Sequence, residues 1–324
     1  MNSVHRKALV TGGTGFIGSH LVDRLMREGW DVAVIDNLTV GSLNNIRRWL
    51  DNTRFKFIQG DLKDAGVADD AVAGVGVVFH FAANPEVRVG ATDPSVHFQE
   101  NLVCSFNVLG AMRRSETAKT LVFASTSTVY GEASVLPTPE SYGPLVPIST
   151  YGASKLGCEG LACSYAWTFG LRALILRFAN VVGPRSGRGV IVDFIEKLRA
   201  DPMWLEILGD GTQKKSYLWI DDCIEAVLRL TLRFLESKER VEIFNVGSDD
   251  QVTVGRIGEI VVEEMGLRDV KFVFTGGVDG GRGWRGDVKI MHLSIEKLLE
   301  AGWKPKFNSE QAVRLAVQTI MKEK

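Results

Sequence analysis

Short runs of consecutive apolar residues alternate along this chain with stretches whose apolar positions recur three and four apart. Residues 7–11 (KALVT) form such a run, and after a glycine turn Phe16, Ile17, Leu21, Val22 and Leu25 fall at helical spacing. The pattern predicts strand, tight turn, helix. It repeats through 32–36, 55–58, 75–81, 120–125 and 173–178, each followed by helical spacing or by loop residues. The runs are apolar throughout instead of alternating, as strands covered on both faces are. A doubly wound parallel sheet with helices on both faces satisfies that demand, so the expected class is α/β.

Beyond about residue 183 the rhythm changes. Gly, Pro and Arg crowd 183–189; a helix is expected to about Arg199, a short strand at 205–208, a helix at 220–235 and a buried strand at 242–246. A glycine-dense loop follows at 276–286, with amphipathic helices around 295–299 and 311–321. This order predicts a large unit, residues 1–183 plus about 217–248, and a smaller discontinuous one, about 184–216 plus 249–324. No internal repeat, low-complexity tract or long linker is visible.

Composition sets limits and names no function. With 324 residues, 45% of them hydrophobic, the chain can bury a large core, and a net charge of −1 gives no long-range attraction to nucleic acid or an anionic membrane. Its tryptophans are not interleaved with basic residues as on a nucleic-acid platform. Cys104, Cys158, Cys163 and Cys223 include no CxxC pair and read as buried free thiols. His5, His20, His80, His97 and His292 lack metal-ligand spacing and read as surface or packed residues, so no metal is expected. No apolar run approaches a membrane span and no charged-then-apolar leader precedes the first strand, so the expected location is cytoplasmic.

Gly12, Gly15 and Gly18 make GxxGxxG between the first strand and first helix. Glycine lets backbone approach a pyrophosphate, whose charge is favoured by a helix N-terminus. Asp36 ends the second predicted strand, where a carboxylate suits ribose hydroxyls and repels a 2′-phosphate; with Asn37 beside it instead of arginine, the expected cofactor is NAD. The other role open to Asp36 is that of a turn residue. Asp61, after the next strand, either faces the adenine or caps a helix. Tyr151 and Lys155 stand four apart in STYGASK, on one face near a helix start. An ammonium there can lower the phenol pKa from its usual value of about 10 and make Tyr151 a general base, although the spacing alone also fits a purely structural helix.

The motifs TGGTGFIGSH, DNL at 36–38, STSTVYG at 125–131, YGASK at 151–155 and RFANVVGP at 177–184 occur in that order. Together they closely resemble the extended short-chain dehydrogenase/reductase family of NAD-dependent epimerases and dehydratases, and within it the UDP-glucose 4-epimerases. The resemblance resumes at GDGTQKKSYLWIDD (209–222) and RGD (285–287). It implies a Rossmann-type unit in which NAD is approached by Gly12, Gly15, Phe16, Ile17, Gly18, Asp36, Asn37, Asp61, Leu62, Phe81, Ala82, Ala83, Asn101, Tyr151 and Lys155. It implies catalysis by Tyr151 as base, Lys155 beside it and Thr126 as proton relay. The cycle takes the O4 proton and the C4 hydride of a UDP-hexose, turns the 4-keto sugar over and returns the hydride to its other face.

By the same resemblance Thr126 and Met291 approach the hexose, Asn180, Lys215 and Arg285 the diphosphate, Asp287 the ribose and Leu208 the uracil. Lys215 replaces the family's usual arginine, a point charge in place of a bidentate fork. The glycines of 276–286 leave Arg282 and Arg285 either to close over substrate or to ride a mobile loop. Thr126-Ser127-Thr128 lacks the carboxylate that dehydratases and UDP-glucuronate decarboxylases of the family carry before their VYG-like triplet. UDP-glucuronate 4-epimerase is the alternative, since AANPEVR (82–88) resembles that group, whereas Asn180 stands where those enzymes usually have threonine. Met291 implies acceptance of the N-acetylated sugars, or simply packs a core. A nonenzymatic NAD-binding protein would need no Tyr151, Lys155 and Thr126 together. Homodimerisation through helices around 101–114 and 151–169 is implied by the family.

Overall fold

The computed structural model describes residues 6–323, which leaves His5 outside the described residues. The chain divides into two compact units. The first takes residues up to Thr126, Thr150–Arg177 and Ile224–Phe244. Its sheet is built from the strands Lys7–Thr11, Asp31–Asp36, Phe55–Gln59, Val77–His80, Thr120–Thr126, Arg172–Phe178 and Val241–Val246. Across the sheet they lie in the order seventh, sixth, fifth, fourth, first, second, third. The first strand pairs in parallel with the second and the fourth, the second with the third and the fourth with the fifth.

This is the doubly wound parallel sheet read from the sequence. The chain runs outward from the first strand to the third, then crosses back and runs the other way from the fourth. Connections therefore leave the first and fourth strands in opposite directions, and a crevice opens at their carboxyl ends. Leu9, Val78, Leu121, Phe123 and Ile175 from the sheet pack with Val108, Met112, Ala162 and Ala166 from the helices Cys104–Arg114 and Thr150–Phe169. Each large aliphatic among them contributes about 1.5–3 kcal/mol on burial. Apart from Lys155 and Glu159, the buried residues of Thr150–Phe169 are small, Gly152, Ser154, Cys158, Ala162 and Ala166, so its backbone can lie close to its neighbours.

The helix preceding the fifth strand departs from the regular one expected around 101–114. It begins at Ser95–His97, widens into a π turn at Phe98–Val103 and continues as Cys104–Arg114. Such turns insert a residue into the α ladder and often mark functional sites.

The second unit comprises Ser127–Ser149, Phe178–Cys223 and the chain from Asn245 onward. Residues 127–149, read from the sequence as part of the first unit, pack here: the Tyr130 hydroxyl donates to Asn245 Oδ1 at 2.8 Å, and Thr138 bridges Leu293. Short strands make up its sheets, Asn180–Val182 with Tyr217–Trp219, Trp204–Ile207 with Lys271–Phe274, and Lys214–Lys215 between Val252–Thr253 and Ile290–Met291. The helices Val190–Ala200, Val254–Glu264 and Ser309–Glu323 pack on one another. Cys104, Cys158 and Cys223 are buried free thiols and Cys163 is half-buried. Among the described residues no helix is long and apolar enough to cross a membrane.

Candidate active site

The glycine turn is dictated by crowding at the crevice. Gly12 has φ +67°, and a Cβ there would lie 2.8 Å from the backbone of Ala82 at the end of the fourth strand. A methyl on Gly18 would collide with the Gly12 carbonyl. The turn feeds the helix Phe16–Arg27, whose N-cap Gly15 makes no side-chain cap bond, so the first N–H groups remain available to an anion. Phe16 and Ile17 are half-buried at that start.

Asp36 fastens the turn to the second strand: Oδ2 accepts the Thr14 N–H at 3.1 Å and Oδ1 the Leu38 N–H at 2.8 Å. An ionised carboxylate offers about four lone-pair sites, so both oxygens can still accept ribose hydroxyls. Asn37 donates to Asp61 Oδ2 at 3.4 Å, which joins the ends of the second and third strands. Burial raises the Asp61 carboxyl, but the Lys63 amide, the Asn37 amide and the Lys63 ammonium hold it below its usual range. The capping role open to Asp61 goes to another residue: Asp64 accepts the Gly66 N–H at the start of Ala65–Val72. Leu62 is buried in the core, and its carbonyl accepts from Asn107.

Across the crevice, Thr11 organises the fourth strand's end. Its Oγ1 accepts the Phe81 and Ala82 N–H groups at 3.1 and 3.0 Å, so its own proton goes to His80 Nδ1 at 2.8 Å. His80 Nε2–H then donates to Ser105 Oγ at 2.9 Å. Burial, reinforced by the Lys155 charge, pushes His80 down to about 3, so the ring is neutral. Ala83 is half-buried, and the Asn84 N–H donates to Asn101 Oδ1 at 2.7 Å. Asn101, carried by the π turn, is buried and also donates to Ser154 Oγ at 3.0 Å.

Tyr151, at the start of the Thr150–Phe169 helix, hydrogen-bonds the Thr126 hydroxyl at the end of the fifth strand. Lys155 is buried one turn on, its ammonium 4.2 Å from the centre of the Phe123 ring. Burial draws Lys155 down to about 8, with Cys158 and Glu159 opposing. Burial pushes Tyr151 up to about 12, with the Thr126 hydrogen bond opposing and the Cys158 thiol adding. The expectation that Lys155 lowers the phenol is thus not met by the protein alone: desolvation of the phenolate sets the direction, and the opposing influence is the Thr126 hydrogen bond. His97 lies edge-on to Tyr151, ring centres 5.6 Å apart; its Nε2–H donates to the Glu86 carbonyl at 3.1 Å, and Nδ1 accepts from Thr150 at 2.9 Å.

In the second unit the Lys214–Lys215 strand connects Lys215 with Met291 and Asp287. Lys215 pairs in register with Met291, which is buried, and its Nζ lies 2.5 Å from Asp287 Oδ1 and 5.7 Å from the centre of the Trp284 ring. Asp287 Oδ2 accepts the Gly283 N–H. The half-buried Leu208 gives its carbonyl to Gln213 Nε2 at 2.9 Å. Asn180 donates through Nδ2 to the Ser216 carbonyl at 3.4 Å. Arg285 is exposed, whereas Arg282 is held by Glu132 at 3.0 Å.

Residues 8–247 match the family described as NAD dependent epimerase/dehydratase. The chain belongs to that family. A putative UDP-glucose 4-epimerase of Methanocaldococcus jannaschii is 34% identical over 315 residues, covering 95% of this chain and 96% of its own. A crystal structure of a UDP-galactose 4-epimerase is similar with a TM-score of 0.86 and 45% identity over 98% of this chain and 99% of its own. The UDP-glucuronic acid 4-epimerase of Bacillus cereus, in complex with UDP-glucuronic acid and NAD, has a TM-score of 0.84 at 29% identity over 98% of this chain and 100% of its own. This member of the family is an epimerase-type enzyme, and its cofactor is NAD. The turn at Gly12, the uncapped helix start and the Asp36 carboxylate fit that cofactor.

Several residues that shape the site have no functional role in the sequence reading, where His80 and His97 are taken only as surface or packed histidines. Thr11, His80, Ser105 and His97 are common side chains inside apolar runs or helices, with no spacing to mark them. Glu159 lies four residues beyond Lys155, a signal that the helical face continues. Gln213 and Trp284 have no sequence signature of their own.

Proposed function

We propose that this enzyme inverts the 4-hydroxyl of a UDP-hexose, interconverting UDP-glucose and UDP-galactose. The observation that carries the reading is the Tyr151–Thr126 hydrogen bond with buried Lys155 one turn on and no carboxylate at Ser127 or Thr128. Tyr151 accepts the O4 proton, Thr126 holds that hydroxyl and relays the proton, and Lys155 supplies positive potential to the phenolate. NAD, when bound, supplies the acceptor and then the donor of the C4 hydride, and its oxidised ring adds positive charge that favours the phenolate. Without an acid at 127–128, elimination and decarboxylation have no dedicated proton donor beside Thr126.

Asn180, Lys215 and Arg285 are read as the diphosphate contacts, Asp287 as the ribose contact, Leu208 as the uracil contact and Met291 as a hexose neighbour. Charge and hydrogen-bond donors are what a diphosphate needs on leaving water. UDP-glucuronate is the competing substrate, favoured by the Ala82–Arg88 segment and by two hydroxyls, Thr126 and Ser127, able to face a carboxylate. Incubation with UDP-glucose, UDP-galactose, UDP-N-acetylglucosamine and UDP-glucuronate, with the C4 configuration of each product determined, tests the reading. Turnover confined to UDP-glucuronate overturns it.

The same reading makes the enzyme a cytoplasmic homodimer. Phe98 and Phe106 are each 52% exposed on the helical segment Ser95–Arg114, and Trp167 is 68% exposed on Thr150–Phe169. Exposed aromatics on neighbouring helices suit a second copy of the chain. A monomeric mass by light scattering counts against it.

A further inference from the structure

The Thr150–Phe169 helix carries Tyr151, Lys155 and Glu159 at four-residue intervals, hence along one face. Lys155 and Glu159 are both buried, 2% and 4% exposed, a rare state for either residue unless paired. Glu159 is gripped by Arg177 through two bonds, Nε to Oε1 at 3.0 Å and Nη2 to Oε2 at 2.7 Å. Its Oε1 also accepts the Ser125 hydroxyl. Ser125 immediately precedes Thr126, which hydrogen-bonds Tyr151, and Arg177 sits on the next strand, Arg172–Phe178. One carboxylate therefore ties the helix to two strands, at the residue beside the relay hydroxyl and one turn from Lys155.

Stability alone is a weak reason for such a device, because a buried ion pair is commonly no better than apolar side chains of the same volume. We propose that Glu159 is a positioning residue: through Ser125 and Arg177 it sets the helix against the strands so that Tyr151, Lys155 and Thr126 converge, with its own carboxylate one helical turn from Lys155. The inference rests on Tyr151 being the base of the proposed reaction.

Lys155 is faced by Phe123 and the neutral His80 from the sheet, by Tyr151 and Cys158 on its own helix, and by Glu159 with its partner Arg177. Burial raises the Cys158 thiol, which stays protonated near neutrality. Glu159 is thus the negative charge in this set that opposes the loss of the Lys155 proton.

The test uses NAD-loaded Glu159→Gln, Glu159→Asp, Ser125→Ala and the double variant Glu159→Met with Arg177→Met. For Glu159→Gln, bound NAD and KM stay near wild type, kcat falls about tenfold to a hundredfold as expected for slight misplacement, and the alkaline limb of the kcat–pH profile moves about one unit toward acid. Glu159→Asp restores the limb but not the full kcat, and Ser125→Ala lowers kcat without moving the limb. A folded double variant with wild-type kcat and limb overturns the inference. Where no UDP-sugar is turned over by wild type, the functional reading fails by itself. Lys155 can still be titrated by its ¹³Cε NMR shift, and a midpoint unchanged by Glu159→Gln overturns the positioning role. Should Glu159→Gln not fold, the same midpoint measured in the double variant and kcat in Ser125→Ala decide it.

Discussion

The Lys215 ammonium lies 2.5 Å from the buried carboxylate of Asp287, so a residue read as a diphosphate contact and one read as a ribose contact already hold each other. An ammonium has three donors, and two remain for phosphate oxygens. Lys215→Ala should weaken UDP binding by about tenfold or more, the range of a lost charge-assisted hydrogen bond. It should also lower Tm, because Asp287 stays buried without that cation. Calorimetric titration with UDP checks this; unchanged affinity would remove Lys215 from the nucleotide site.

Tyr151→Phe deletes the oxygen and keeps the ring. Turnover should fall at least about a hundredfold, as for loss of a general base, with NAD content and UDP-sugar affinity kept. Near-normal turnover would assign the base elsewhere.

The pKa of Lys155 gives a stability signature with a definite sign. Its folded value of about 8 lies below the ordinary 10.5 of a solvated lysine, so burial of the ammonium costs stability in full below pH 8. The cost fades as pH rises to 10.5, and stability gained over that window is about 3 kcal/mol at most. Lys155→Met should therefore be more stable than wild type at pH 7, with the difference gone by about pH 10.5, while losing activity. Parallel Tm–pH curves for the two proteins would contradict it.

Denatured protein should release NAD in near-stoichiometric amount, since the cofactor is regenerated in each cycle. Asp36→Ala should reduce that content, because it removes both a ribose acceptor and the anchor of Thr14 and Leu38. Recovery of NADP in place of NAD would overturn the reading of Asp36.

Met291 lies in register with Lys215 and is buried, and an unbranched thioether can fold aside. UDP-N-acetylglucosamine should be epimerised alongside UDP-glucose, and Met291→Tyr should lower the kcat/KM ratio of the acetylated to the plain sugar. A ratio unmoved by tyrosine would leave Met291 as packing alone.

The sheet strands were legible because each is dominated by apolar residues, Lys56 and Glu242 being interruptions, and strand ends were missed by only a residue or two where polar neighbours such as Asp31 and Gln59 join the ladder. The helix Val254–Glu264 passed unnoticed: its β-branched residues and two glycines are poor helix formers, and it stands because Ile257, Ile260 and Val261 are buried and Thr253 caps Arg256. Gly12, Asp36, Tyr151 and Lys155 were legible through spacing. The Tyr151 pKa was not, since it depends on how completely the phenol is buried, a property of packing and not of order. Glu159 and Arg177 are 18 residues apart in the chain and meet only once the sheet has formed.

The π turn at Phe98–Val103 keeps two angular settings on one helix. An α-helix advances about 100° per residue, so deleting a single residue from this turn and closing the ladder would swing Cys104–Arg114 by about that angle relative to His97. Either Val108 and Met112 would leave the core, or Asn101 would let go of Asn84 and Ser154. One surplus residue thus acts as a phase shifter, letting the same helix face the chemistry at its start and the hydrophobic core along its length.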